Sequence, residues 1–279
     1  MLNNNSIRIK ELSRGLSGCS IEISKQGNLL KKSPLKIYNN RLKKQLIKQK
    51  DFKKLSFENV LVPKIYNYWF DQELLTIEME YIQAESEINF FYHASVSQIE
   101  NVFETINNYL IQISKNSFDY DFTENIYNKL MSLKINSKYG DLINQLLGLL
   151  EKKNIIIPNS VCHGDLTLSN MLFQDKKIYF IDFLDSYINS YICDLVKLKQ
   201  DLYYLWNLEI LSLDNLRHKI IYKKFWKYIY TNNIEYLRSP EFKILDIINY
   251  LRIEPYINSA VHRNLVDCII YKISLEINA

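Results

Sequence analysis

Glycine and proline are scarce, six and five among 279 residues. That shortage excludes a collagen-like chain, and no Pro-rich linker or low-complexity tract divides the sequence. Cysteine is also rare: Cys19, Cys162, Cys193 and Cys268 lie far apart without a C-x-x-C pair. Neither a zinc site nor a disulfide framework is expected from such spacing, and the thiols read as reduced and buried. No apolar run approaches the roughly 20 residues of a membrane span. The Asn-rich stretch Met1 to Lys10 lacks the apolar core of a secretory signal, so a cytoplasmic location is expected. Charge of one sign is not in excess either: 35 Lys and Arg against 31 Asp and Glu leave +4, spread along the chain. A nucleic-acid partner is not expected from that balance. What remains is ordinary for a globular protein, 47% apolar and 24% charged, with length for one large domain or two modest lobes.

The chain changes character once. From Ile7 to Ser33 apolar and polar residues alternate around turn-like Gly-containing pieces, as three antiparallel strands joined by hairpins would. Asn40 to Leu55 has helical spacing, with Leu42, Leu46, Ile47 and Phe52 opposite a strongly basic face that reads as solvated. Val60 to Tyr68 and Leu74 to Ile82 read as two further strands. After about Ala84 the three-to-four-residue period of helices dominates, in Val96–Ser114, Leu142–Lys152, Asp194–Trp206, Asn215–Tyr230 and Pro240–Arg252. A short hairpin, Asn170–Phe173 and Lys177–Phe183, interrupts it. The expected class is α+β: a small antiparallel β lobe over residues 1–82 and a larger, mostly helical lobe over 83–279, sharing a cleft that suits a small molecule.

The chemistry is concentrated in His163-Gly164-Asp165-Leu166-Thr167-Leu168-Ser169-Asn170 and, after the hairpin, Ile181-Asp182-Phe183. An Asp on a short loop can accept a proton from an attacking hydroxyl, while an Asn and a second Asp offer the hard oxygen ligands that Mg²⁺ prefers beside phosphates. These are the parts of phosphoryl transfer. Asp, four residues, Asn, a strand pair and then an apolar-Asp-aromatic triplet matches the kinase pattern H-x-D-x-x-x-x-N with a D-F-G-like segment.

On these residues the sequence resembles the kinase-like small-molecule phosphotransferases typified by aminoglycoside phosphotransferases and choline kinases. The likeness is close over Cys162 to Asp201 and looser in the N-terminal lobe. It implies a bilobal protein-kinase-like fold and ATP with Mg²⁺ as cofactors. Asp165 is implied as catalytic base, Asn170 and Asp182 as metal ligands, Asp194 as the aspartate bracing the catalytic loop, and His163 as its orienting residue. The Gly-containing turn Leu12 to Ser20 would cover the ATP phosphates with backbone N–H groups, Ser17 and Gly18 among them. The third strand would supply a phosphate-binding lysine, Lys32 by first choice with Lys31 close behind, since adjacent strand residues face opposite ways. Glu80-Tyr81-Ile82 would be the hinge, with the main chain of Glu80 and Ile82 meeting adenine.

The sequence departs from the family in one respect. No glutamate stands between Glu22 and Glu58; the helix offers the lysine Gln45 and Gln49 at inward positions, which give a neutral contact, with Asp51 near its end. Only eleven residues separate Asp182 from Asp194, too few for the peptide-presenting segment of protein kinases, so the expected partner is a small-molecule hydroxyl acceptor. A sugar, polyol or amino alcohol of surface-polysaccharide or lipid-headgroup metabolism, an aminoglycoside, and a non-catalytic nucleotide-binding role all stay open. Asp185, Tyr187, Asp201, Tyr203, Tyr204 and Trp206 are the residues nearest the expected acceptor side, where aromatic rings could meet a cation or a sugar face.

Overall fold

The computed structural model describes residues 7–8, 19–135, 137–211, 215–257 and 259–278. Ser17 and Gly18, expected over the phosphates, lie outside them. Strands β1 (Ile7–Arg8), β2 (Ser20–Ile23) and β3 (Leu29–Lys32) are followed by helix α1 (Asn39–Lys53). Next come β4 (Val60–Leu61), β5 (Ile65–Asp71) and β6 (Leu74–Met79). Five of the six strands form an antiparallel sheet in the order β1-β2-β3-β6-β5. Gln72 and Glu73, with φ of 49° and 66°, make the two-residue turn between β5 and β6. Positive φ at both centres is the primed geometry whose twist suits a tight hairpin. Leu42 and Leu46, one turn apart on α1, bury against Leu75 and Ile77 of β6 in a small core of their own.

The second half is mostly helical. It contains β7 (Glu85–Ser86), α2 (Glu87–His93), α3 (Val96–Lys115), β8 (Phe118–Asp121), α4 (Thr123–Lys134), α5 (Gly140–Leu150) and β9 (Ile156–Asn159). The hairpin β10 (Met171–Gln174) and β11 (Lys177–Phe180) precedes α6 (Tyr191–Leu202), α7 (Trp206–Ile210), α8 (Leu216–Asn232), α9 (Ile234–Leu237), α10 (Pro240–Ile253) and α11 (Ala260–Asn278). Some helix starts are fixed by side-chain caps: Ser95 and Gln98 close a reciprocal box on α3, and Ser239 accepts from Phe242 N–H ahead of Pro240 on α10. The α+β class and its small-sheet, large-helical division are as the sequence pattern indicates.

Contacts nevertheless cross residue 82. β4 pairs in parallel with β11, within a sheet of order β4-β11-β10-β7. Phe52, Phe57, Val60 and Val62 pack into the main helical core rather than the small one. Phe52 rings lie 5.0 Å from Phe183 and 5.9 Å from Phe180. The end of α1 is thus seated beside the segment that carries Asp182. The expectation of buried thiols holds fully only for Cys162; Cys19 and Cys193 are half-buried and Cys268 is exposed, all four free.

Candidate active site

Helix α6 is buried almost all round, through Tyr191, Ile192, Leu195, Val196, Leu198 and Leu202. Three of the polar side chains on this helix, Asp194, Lys197 and Asp201, are buried and spaced three and four residues apart, therefore on one face. All three meet the same loop. Asp194 accepts from the backbone N–H of His163 and of Gly164, both at 2.8 Å, and from the Tyr109 hydroxyl at 2.9 Å. Lys197 places its ammonium 3.0 Å from Asp165 Oδ1. Asp201 accepts from Leu168 N–H at 2.7 Å. A loop that would leave its N–H groups unpaired in a dry interior is instead held along its length by one helix.

The electrostatics follow from these contacts. Burial works to raise the Asp165 carboxyl, but Lys197 outweighs it, and the pKa ends below the ordinary value. Asp165 is therefore ionised at neutral pH, with its side chain 31% exposed. Burial raises Asp194, partly offset by His163 and by the two backbone donors, and pushes Asp201 up to about 7. His163 is fully buried, and burial lowers its pKa. Its Nδ1 accepts from Asp165 N–H at 3.2 Å, so Nε2 carries the proton and donates to Ile181 O at 2.8 Å.

That histidine bond is one of three between the loop and the segment bearing Asp182. Ile181 N–H donates to Asn170 O at 3.0 Å, and Leu184 N–H to His163 O at 3.2 Å. Asn170 donates from Nδ2 to the carbonyl of Asp165 at 2.8 Å and to its Oδ2 at 3.1 Å. Both partners are acceptors, so the amide nitrogen must face Asp165 and Oδ1 is turned away from it. Asp182 adopts a left-handed φ of 59°, a conformation that Asp tolerates better than most residues with a Cβ. Gly164, at φ 85°, has no room for a Cβ, which would come within 2.7 Å of Leu184 O.

In the sheet the lysine assignment is corrected. Lys31, 7% exposed, donates to Asp182 Oδ1 at 2.5 Å. Lys32 points the other way and pairs with Asp71 at 2.7 Å, so it is not the lysine facing the Asp182 segment. The cross-strand partner of Lys31 is Ile77, part of the face that packs on α1, and directly opposed residues share a face. Gln49 donates to Pro63 O at 2.9 Å, so it does not serve the lysine. The basic face of α1 is not wholly solvated. Lys44 pairs with Asp185 at 3.0 Å, and Lys48 donates to Leu184 O and Ser186 Oγ, each at 2.9 Å. Glu80 N–H donates to Lys64 O at 2.8 Å and its carboxylate accepts from Lys64 N–H at 3.0 Å; Ile82 lies past the end of β6.

Of the residues singled out near the acceptor side, Asp185 is taken by Lys44 and Asp201 by the loop. Tyr203 and Tyr204 line a separate groove with Trp226 and Lys272. Lys197 was missed by motif reading. The signal was present: an Asp-x-x-Lys-x-x-x-Asp stripe, spaced to share one face, in a helix whose remaining positions are mostly apolar.

Among the described residues no three His, Cys, Asp or Glu side chains converge as a metal cage. The available donors are Asn170 Oδ1 and the carboxylate of Asp182, whose side chain stays 44% exposed with one oxygen given to Lys31. Two protein oxygens, with substrate phosphates and water completing the shell, fit the way Mg²⁺ is usually bound.

A two-lobed fold carries a loop carboxylate held ionised, with Asn170 on the same loop and Asp182 on the segment bonded to it; taken with the family match, this is a phosphotransferase that acts on hydroxyl groups. The chain belongs to the phosphotransferase enzyme family APH, whose family model matches residues 51–217, more than half of its length. Among curated proteins none matches the sequence. Solved structures share the fold at low identity. The GDP complex of an aminoglycoside 2'-phosphotransferase mutant superposes with a TM-score of 0.61 at 10% identity, covering 98% of this chain and 91% of that one. An APH(2") enzyme with GDP and kanamycin gives 0.58 at 10%, covering 99% and 94%. An APH(2")-IIa complex with streptomycin and ATP gives 0.56 at 14%, covering 90% and 86%.

Proposed function

We propose that the protein is an ATP- and Mg²⁺-dependent kinase, active in the cytoplasm, that phosphorylates a hydroxyl of a small molecule. The acceptor oxygen forms a bond to the γ-phosphorus, the bond from that phosphorus to the β–γ bridging oxygen breaks, and ADP leaves with the electron pair. The hydroxyl proton goes to a carboxylate oxygen of Asp165. Bound Mg²⁺ neutralises phosphate charge; Asn170 Oδ1 and Asp182 would hold it, and Lys31 would steady the phosphates. Glu80 and Ile82 main-chain groups serve adenine in this reading, and Ser17 and Gly18 the phosphates.

The observation that carries the reading is the carboxylate of Asp165. It is ionised by Lys197, clamped by Asn170 and set in a loop bonded three times to the Asp182 segment. Positioning and charge neutralisation dominate phosphoryl transfer, so the base contributes only part of the rate. Asp165→Asn is expected to lower turnover roughly a hundredfold or more while the Mg-ATP-induced rise in unfolding midpoint persists. Turnover equal to wild type would remove Asp165 from the reaction.

A further inference from the structure

Beside Asp165 lies a crevice lined by Gly164, Ser186, Tyr187, Lys197, Asn249 and Arg252, among others, and among the described residues no Asp or Glu lines it. Its cavity volume is about 10 Å³, room for one oxygen-sized group. Two cations face it. Lys197 already touches Asp165 Oδ1, and its ammonium has a second, longer contact with Gln200 Oε1 at 3.3 Å. The Arg252 guanidinium sits 5.6 Å from the centre of the Tyr187 ring and, among the described residues, forms no ion pair with a carboxylate. Its field reaches Asp165, where it contributes to the lowered pKa.

Asn249 supplies an independent sign of a missing partner. It is 4% exposed, its Nδ2 donates to Gln200 Oε1 at 2.8 Å, and its Oδ1 has no partner. A buried polar atom left unpaired is costly, and one that lines a crevice is naturally satisfied by a ligand hydroxyl or a protonated ligand oxygen.

Resting on the kinase reading above, we propose that the acceptor is an anion: a hydroxylated molecule bearing a carboxylate or phosphate. A second hydroxyl of the molecule, which can donate, enters the crevice toward Asn249 Oδ1, the oxygens of its charged group meet Lys197 and Arg252, and the hydroxyl to be phosphorylated lies over Asp165. A polycation would meet two positive charges here and no carboxylate in the crevice to answer them. An anion finds a guanidinium with free donors, which recognise planar or tetrahedral oxyanions well.

The test begins with Mg-ATP and the wild-type protein. No rise in unfolding midpoint would defeat the kinase reading itself and the inference with it. Given that rise, ADP release is measured with matched acceptors: glycerol, glycerate and glycerol 3-phosphate; glucose, glucuronate and glucose 1-phosphate; kanamycin; choline. The charged members are expected to exceed their neutral partner in kcat/KM by about tenfold or more, the range of a hydrogen bond to a charged group. The carboxylate and phosphate arms tell which anion is preferred. Arg252→Gln should erase the advantage and Arg252→Lys should keep part of it. Preference for kanamycin, choline or the neutral members, or a preference that survives in R252Q, would overturn the proposal and leave the kinase reading standing. If no compound is turned over, the same panel is titrated with Mg²⁺ and a non-hydrolysable ATP analogue. Midpoint rises confined to anions and lost in R252Q support the proposal; no rise with any anion sinks it.

Discussion

The two lysines of β3 show how much rests on the parity of one residue. In Leu29-Leu30-Lys31-Lys32 two apolar residues are followed by two cations, so no alternation marks which face is which. The motif narrows the choice to a pair, and the cross-strand register with β6 tells their faces apart, by setting Lys31 opposite Ile77. The consequence is measurable. Lys31→Ala removes the ammonium that reaches Asp182 and is expected to raise KM for ATP by about tenfold or more, the usual weight of a charged hydrogen bond. Lys32→Ala loses only a partly exposed pair with Asp71, and its KM should stay within about twofold. Equal effects in the two variants would return the phosphate contact to an open question. That Asp165 and Asn170 share one loop, bonded to the Asp182 segment, was legible because the motif is written in nearly consecutive residues. Which lysine meets Asp182 was legible only to within a neighbouring pair.

At the scale of elements, two helices position the site by opposite means. Helix α6 presents Asp194, Lys197 and Asp201 along one buried stripe to the loop 163–168. Helix α1 has no glutamate and sets two cations, Lys44 and Lys48, on the segment after Asp182. The Lys48 ammonium is shared among Leu184 O, Ser186 Oγ and, at 3.3 Å, Cys162 Sγ, so one side chain ties the first lobe's helix to both halves of the site. The absence of a glutamate was visible in the sequence, but these lysine contacts were not. A basic run on an amphipathic helix reads as solvent-facing unless the partner carbonyls, distant by more than 130 positions, are known. Lys48→Met keeps the stem and deletes the charge. It is expected to lower stability by about 1–3 kcal/mol in a denaturant titration and to raise the Mg²⁺ concentration giving half-maximal activity. A variant with wild-type stability and Mg²⁺ response would show that α1 does not hold the segment.

For the molecule as a whole, the broad division into a sheet-rich and a helix-rich half was readable from the change of period, while the interlocking was not. β4 lies before residue 82 yet pairs with β11, and a two-residue strand whose partner lies over a hundred residues away leaves no periodic trace. The same long-range closure puts Asp201 in the interior beside the loop, with Glu87 nearby, and makes the fold's stability depend on pH. Burial raises the folded pKa of Asp201 to about 7 from an ordinary 3.8, so between those values the folded state holds a proton the unfolded chain has released. Stability from this group is complete below about pH 4 and declines as pH rises to about 7, by an amount on the order of a few kcal/mol. Asp201→Asn keeps an oxygen for Leu168 N–H and cannot ionise. Its stability relative to wild type, measured by chemical denaturation from pH 4 to pH 8, is expected to improve steadily with pH and level off above about 7. Because the comparison is a slope, a constant penalty from the buried amide cancels. Parallel stability curves for the two proteins would mean that Asp201 titrates alike folded and unfolded, and that its carboxylate is accommodated by the interior rather than opposed by it.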